Sequence, residues 1–269
     1  MIPDLSISFL VFNNETILYD NLWNLVEALP SALSCHLYVI DNHSKDNSWQ
    51  EMERFQADFE VNKADYGHVF LELVANTKNV GFGRGHNLLL KKLKSNYHLV
   101  MNPDIRLEGK EQLASMIFFM EQEPEIGLLV PKLKNMDGSC QCLCKRNPTL
   151  LDLMIRRLPL AFLRARQEAY VMMESGYDQT MDIEYASGCF MLFRTECFQL
   201  VEGFDERFFL YLEDADISRR IKQASRVVFY PHAQVTHGWY RGTYRSPKLF
   251  FINILSIFKY FNKWGWKLW

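Results

Sequence analysis

Apolar residues in the first hundred positions fall into short continuous runs, and between those runs they recur at helical spacing. Leu5–Phe12, Cys35–Ile40, Val69–Val74 and Tyr97–Met101 are runs of strand length. Between the first two, Leu18, Leu22, Leu25, Val26 and Leu29 line one face of a predicted helix over 15–29. Helical patterns also fill Trp49–Phe59 and Arg84–Leu93. Near-continuous apolar strands alternating with amphipathic helices predict an α/β fold. Its sheet is open and mostly parallel, with helices on both faces and right-handed crossovers.

The second half reads differently. Ile126–Leu133 and Ser139–Cys144 flank Met136-Asp137-Gly138, a hairpin signal. Pro148 to Gln167 reads as loosely patterned helix and Asp178–Glu184 as loop. Gly188–Phe193 is a predicted strand and Thr195–Val201 a helix. Asp214–Ala224 is a predicted helix, Arg226–Tyr230 a strand and Leu249–Lys263 a final helix. Without repeats, low-complexity stretches or a Gly/Ser linker, the reading is one domain over 1–246 and a helical extension over 247–269.

Composition narrows the partners. A chain of 269 residues that is 48% hydrophobic carries a sizeable core. Its net charge of −2 gives no basic footprint for nucleic acid. Met1-Ile2-Pro3-Asp4 lacks the basic start of a secretory signal, and Leu5–Phe12 is too short to span a bilayer, so a cytoplasmic protein is expected. The six cysteines are then expected to be reduced. Cys140, Cys142 and Cys144 alternate and would share one face of a strand. With no second Cys/His pair at zinc-ligand spacing, a half-buried strand is preferred to a soft-metal site. After Asp216 the chain has ten Lys or Arg, no acidic residue and a dense set of aromatics. That asymmetry points to an anionic surface or an anionic lipid-linked ligand, with the last helix lying at a membrane interface or packed on the core.

Five constellations carry candidate chemistry. Asp41-Asn42-His43-Ser44-Lys45-Asp46 ends a strand, where open α/β sheets bind ligands. Asp41 could accept from the imide N–H of a pyrimidine, or the segment could be an Asx turn with a helix cap. In Asn79-Val80-Gly81-Phe82-Gly83-Arg84-Gly85-His86-Asn87, alternate glycines let backbone amides approach a ligand ahead of a helix. His86 sits where a dinucleotide fingerprint needs its third glycine, and Arg84 could face a diphosphate. Asn102-Pro103-Asp104 places one carboxylate at the end of a buried strand. That suffices for magnesium or manganese if nucleotide phosphates complete the shell. Aromatic residues wall the acids of Gly203 to Asp216, a setting that raises proton affinity and suits a general base. His232 and His237 flank a short predicted strand, and His237, before a glycine, is a plausible metal ligand.

Taken in this order, the five resemble glycosyltransferase family 2, inverting enzymes of GT-A fold, and within it the bacterial rhamnosyltransferase-like members. The resemblance spans Leu5 to Ser246 and includes Ser187 to Arg194 and Gly203-Phe204-Asp205-Glu206-x-Phe-Phe. It implies a donor site of Asp41, Asn42, Ser44, Asn79, Gly81, Phe82, Gly83, Arg84, Asn87, Asn102 and Asp104 for a dTDP- or UDP-sugar. It implies a divalent metal, Mg2+ or Mn2+, on Asp104 and His237, and Asp214 as the base. Acceptor contacts fall to Gly188, Glu213 and Trp239. The implied reaction moves a sugar, L-rhamnose from dTDP-L-rhamnose, onto a glycan or polyprenyl-diphosphate-linked acceptor in surface polysaccharide synthesis. The same family also offers UDP-linked galactose, glucose or N-acetylglucosamine as donors. Asn102 departs from the commoner Asp-x-Asp, which weakens the metal site and implies that metal arrives with the donor. The rivals are a non-catalytic sugar-binding module and a nucleotidyltransferase; the latter would want a more basic phosphate loop.

Overall fold

The structure, a computed structural model, describes residues 3–155, 161–238 and 246–269. Its strands are β1 (Leu5–Val11), β2 (Cys35–Asp41), β3 (Val69–Ala75), β4 (Tyr97–Met101), β5 (Ile105–Leu107), β6 (Ile126–Lys134), β7 (Met181–Asp182), β8 (Phe190–Arg194) and β9 (Arg226–His237). Its helices are α1 (Glu15–Glu27), α2 (Ser48–Val61), α3 (Phe82–Asn87), α4 (Glu111–Gln122), α5 (Leu150–Ile155), α6 (Arg164–Tyr170), α7 (Thr195–Leu200), α8 (Glu213–Ile221) and α9 (Pro247–Trp264).

The sheet runs β3-β2-β1-β4-β8-β6-β9-β5, with β7 paired to β9. Strands β1 to β4 form the expected parallel block. Beyond it the sheet is mixed, because β8 runs antiparallel to both β4 and β6, while β6 and β9 are parallel. Cores lie on both faces. Leu5, Ile7, Phe9 and Val11 point into one with α1, α2 and α4; Leu10 points into the other with Leu89, Phe193, Phe198 and Ile217. Each fully buried side chain of this size contributes about 1.5–3 kcal/mol. On the second face, two buried serines of β1 meet buried histidines. Ser8 Oγ lies 2.5 Å from His86 Nδ1 and Ser6 Oγ 2.8 Å from His98 Nδ1. Burial pushes both imidazoles down, His98 to about 3, so both are neutral near pH 7.

Several sequence expectations are corrected. The helix expected over 84–93 begins at Phe82 and closes after Asn87 into tighter turns, although Leu89 and Leu93 are buried as its pattern required. The strand expected over 139–144 shrinks to single bridges, Lys134 with Cys140 and Lys145 with Tyr185. Cys144 is buried and Cys140 and Cys142 are half-buried; all six cysteines are free thiols. Strand β9 runs on past Tyr230 to His237, because its register against β6 skips residues 231–233 and Pro231 falls where the ladder is interrupted. Short strand β5 was hidden in the sequence by its length. Part of the helix expected over 148–167, residues 156–160, lies outside the described residues.

Helix α9 packs on the protein along one side and leaves the other exposed. The polar stripe of Ser256, Tyr260 and Lys263 faces the protein, and the apolar residues Phe251, Leu255 and Phe258 face outward. Tyr260 and Phe261 pack on Tyr185, Phe208, Leu212 and Ala215. Lys263 Nζ lies 2.6 Å from buried Asp216 Oδ1 and 2.8 Å from Asp205 Oδ2, and Trp264 Nε1–H donates to Asp216.

Candidate active site

The candidate residues collect where β1, β2 and β4 end, the binding edge of an open α/β sheet. At the end of β2, both oxygens of buried Asp41 accept from the Ser44 N–H at 3.1 and 3.3 Å. The Asx turn weighed for this segment forms at Asp46, whose Oδ1 accepts from the Ser48 N–H at 3.0 Å as α2 begins. Ser44 Oγ accepts from the Asn13 N–H, tying this turn to the end of β1. Asn42 pins the glycine loop: its Nδ2 donates to Gly81 O and Asn79 Oδ1, and its Oδ1 accepts from the Val80 N–H. Asn79 Oδ1 in turn accepts from the Gly81 N–H at 2.9 Å.

That loop is stitched to the aromatic run. The Phe82 N–H donates to Phe209 O at 2.9 Å. Asn87 exchanges two hydrogen bonds with the Phe204 backbone. Gly81 has φ +90°, and a Cβ there would overlap Phe209 O; a Cβ at Gly83 would meet the Phe204 side chain at 2.6 Å. Arg84 is half-exposed and pairs with Glu206 at 3.3 Å.

On the other side, the Asn102 N–H donates to Cys189 O at 2.9 Å, and the Asp104 carbonyl accepts from the Gly238 N–H at 2.8 Å. The pairing of β5 with β9, Ile105 opposite His237, brings the Asp104 turn against His237. His237 Nε2 lies 3.4 Å from Asp104 Oδ2, and both side chains are largely buried. Asp104 Oδ1 is buried with no hydrogen-bond partner. An orphaned carboxylate oxygen beside an imidazole nitrogen fits an oxygen- and nitrogen-loving divalent cation. No group of three metal-ligating side chains exists among the described residues, so such an ion would take further ligands from its substrate.

Asp214 lies in the first turn of α8, where the helix dipole favours a carboxylate. Its Oδ1 accepts from the Tyr185 hydroxyl at 3.1 Å and the Ala215 N–H at 2.9 Å; its Oδ2 accepts from the Gly188 N–H at 3.1 Å. A Cβ at Gly188 would meet Phe82 and Asp214 tightly, each at 3.3 Å. Residues 188 and 189 thus bridge the two acids: Gly188 holds Asp214 and Cys189 holds the Asp104 turn. The Cys189 thiol, pushed up to about 12 chiefly by burial, feels both carboxylates. Neighbouring Glu213 is 4% exposed, and desolvation, then the Asp214 charge, push its carboxyl up to about 8. It holds a proton near neutral pH. Two residues in left-handed backbone, Tyr211 and Leu212, deliver the chain to this pair of acids. Trp239 lies outside the described residues.

Three residues here were not found by sequence reasoning. Tyr185 donates to Asp214, buried Lys145 sits 4.3 Å over the Tyr185 ring, and buried Gln141 contacts His237. Each lies in an irregular segment with no motif of its own. The alternation of apolar and polar residues from 141 to 145 was the one available signal, and it reads equally well as an ordinary strand.

Comparison with solved structures defines the class. The fold is similar to a mannosyltransferase from Pyrobaculum calidifontis, described in complex with GDP-Man and Mn2+ (TM-score 0.61, 16% identity, 91% of this chain and 59% of that one). It is also similar to residues 1–349 of S. aureus TarS in complex with UDP-GlcNAc (TM-score 0.61, 17% identity, 96% of this chain and 67% of that one). These neighbours are glycosyltransferases of GT-A fold, and that is the architecture of this chain. Residues 6–139 match the family model described as Glycosyl transferase family 2. Among curated relatives, an N-acetylglucosaminyl-diphospho-decaprenol L-rhamnosyltransferase of Mycobacterium tuberculosis is 25% identical over 66% of this chain and 62% of its own length. Rhamnosyltransferase WbbL of Escherichia coli K12 is 27% identical over 58% of this chain and 60% of its own. The match therefore spans about three fifths of those relatives. Residues 6–139 thus carry the glycosyltransferase family 2 match, and the curated relatives that the chain resembles are rhamnosyltransferases.

Proposed function

We propose that this protein is an inverting, metal-assisted glycosyltransferase that moves L-rhamnose from dTDP-L-rhamnose onto a lipid-linked glycan acceptor in surface polysaccharide synthesis. The observation that carries the reading is the bridge at residues 188–189, with Asp214 hydrogen-bonded on one side and the turn of Asp104, beside His237, on the other.

In this mechanism Asp41 and the Asn79–Asn87 loop receive the nucleotide; Asn42 fixes the shape of the loop, and the Val80, Gly81 and Phe82 amides are already bonded to Asn42, Asn79 and Phe209 rather than free for the diphosphate. Asp104 and His237 would hold a divalent ion, which when bound neutralises charge developing on the donor diphosphate. Asp214, oriented by the Tyr185 hydroxyl and the Gly188 amide, takes the proton of an acceptor hydroxyl. That oxygen attacks the anomeric carbon opposite the departing nucleoside diphosphate, so the anomer inverts. Gly188, protonated Glu213 and Trp239 are proposed on the acceptor side. The fit of a polyprenyl-diphosphate acceptor draws support from the decaprenol-linked acceptor in the name of the mycobacterial relative. No helix among the described residues is long and apolar enough to cross a membrane. A peripheral seat at the cytoplasmic face of the inner membrane is proposed through the outer face of α9.

The test is transfer from dTDP-L-rhamnose, measured against UDP-sugars, with the anomer of the product assigned by NMR. Asp214→Asn is expected to lower kcat by about 10²–10⁴-fold. The donor should still raise the variant's melting temperature as it does the native protein's. Normal turnover in that variant would remove Asp214 from the role of base.

A further inference from the structure

The turn after β6 forms a hydrogen-bonded chain whose polarity can be read from its ends. The Ser139 hydroxyl lies 2.5 Å from Asp137 Oδ1. Hydrogen bonds from the Ser139 side chain and then its amide hold that carboxyl below the usual range, so near neutral pH it only accepts and Ser139 Oγ is the donor. Ser139 Oγ must therefore accept from Asn135 Nδ2, 2.8 Å away. That orients the Asn135 amide and leaves its Oδ1 toward Gln141 Nε2, at 2.7 Å.

The second end agrees with the first. Gln141 Nε2 also lies 3.1 Å from the His237 carbonyl, which can only accept. Both neighbours of Nε2 are acceptors, so the Gln141 amide has one orientation and its Oε1 is the atom facing His237 Nδ1, at 2.8 Å. Oε1 cannot donate. His237 Nδ1 must carry the proton, and when the ring is neutral its Nε2 presents a lone pair. That nitrogen is the one 3.4 Å from Asp104 Oδ2. A lone pair facing a carboxylate is repulsive unless a cation or a second ring proton lies between them, and metal-bound histidines are commonly fixed by a hydrogen bond from the other ring nitrogen.

We propose that Gln141 is the positioning residue of the metal site: oriented by Asn135, Ser139 and Asp137, it sets the His237 tautomer that offers Nε2 to a divalent cation. The inference rests on the metal reading of Asp104 and His237 given above. Gln141 is 4% exposed, and its side chain connects the turn after β6 to the end of β9. The Asn135–Ser139 turn, which the sequence shows only as a hairpin signal, thereby acquires a role at the site.

Two readouts test the proposal on the full chain, each paired with a circular dichroism spectrum to show that the variant folds. The first is the 15N NMR signature of His237 in metal-free protein, at a pH well above the ordinary imidazole range. The native protein should carry its proton on Nδ1, and Gln141→Leu should move it toward Nε2. The second is Mn2+ affinity in the presence of dTDP, followed by electron paramagnetic resonance. Gln141→Leu should weaken it by about 10–100-fold, the usual cost of losing such a partner. Gln141→Glu, which keeps an acceptor at Nδ1, should recover most of the loss. A native His237 protonated on Nε2, or Mn2+ affinity unchanged in Gln141→Leu, overturns the proposal. Should His237→Ala leave Mn2+ affinity intact while the tautomer follows Gln141, the metal reading itself fails and Gln141 orients His237 for some other purpose.

Discussion

Glu213 and Asp214 are adjacent acids with opposite surroundings. Asp214 accepts three hydrogen bonds, from the Tyr185 hydroxyl and the amides of Gly188 and Ala215. Glu213 is buried, with an oxygen that has no partner. Desolvation, then the Asp214 charge, raise its carboxyl to about 8 from an ordinary value of 4.5. The sign of the linkage follows. Between those values the folded state binds more protons than the unfolded one, so this group makes the protein less stable as pH rises from about 4.5 to about 8. Glu213→Gln removes the titration and keeps the shape. Its melting temperature relative to the native protein should climb between pH 5 and pH 8, corresponding to a gain on the order of a few kcal/mol. A flat difference across that range would mean that Glu213 is ionised in the fold.

At the scale of elements, the site is a seam between the glycine loop leading into α3 and the aromatic run leading into α8. Phe82 donates to Phe209 across the seam, and Asn87 fastens its far end to Phe204. Gly81 makes this possible twice over, by its left-handed φ of +90° and by leaving room for Phe209 O. Gly81→Ala should therefore cost about 2 kcal/mol or more in chemical denaturation and depress transfer as the loop is displaced. Native stability in that variant would mean that the seam is looser than described. Element types were readable for α1, α2, β1, β2, β3 and β4, which lie close to where apolar spacing puts them; α4 was not read, although Leu113, Met116, Ile117 and Met120 recur at helical spacing. The failures have local causes. Strand β5 is three residues long, β9 continues beyond a proline, and the segment after Gly138 takes its shape from side-chain bonds such as Gln141 to His237.

For the whole molecule, α9 has one face against the region of Asp214 and one face exposed. Its inner face grips the region that delivers Asp214, through Lys263 and Trp264 on Asp216 and through Ser256 on Leu210 O. Its outer face exposes Phe251 (68%), Leu255 (48%) and Phe258 (51%), spaced to share one side of the helix. The stretch after Asp216 is basic throughout, which matches an anionic lipid surface. The double variant Phe251→Glu, Phe258→Glu should lose co-sedimentation with vesicles containing anionic phospholipid. Transfer to a short water-soluble acceptor should continue, because neither side chain belongs to the site. Vesicle binding equal to that of the native chain would remove the membrane role of α9.

By itself the sequence determined the parallel α/β half of the sheet, and it marked most of the acids and glycines that line the sheet's binding edge. Those depend on local periodicity and on motifs that keep their order along the chain. Only the tertiary structure decided which of them meet. Asp104 and His237 are brought together by a three-residue strand pairing across more than a hundred positions, and Asp214 reaches the same region through amides at 188 and 189. It also decided which way α9 faces, because an amphipathic pattern defines two sides of a helix but not which of them is buried. The buried side is the one on which Lys263 meets Asp205 and Asp216, Ser256 meets the Leu210 carbonyl, and Tyr260 and Phe261 complete an apolar cluster.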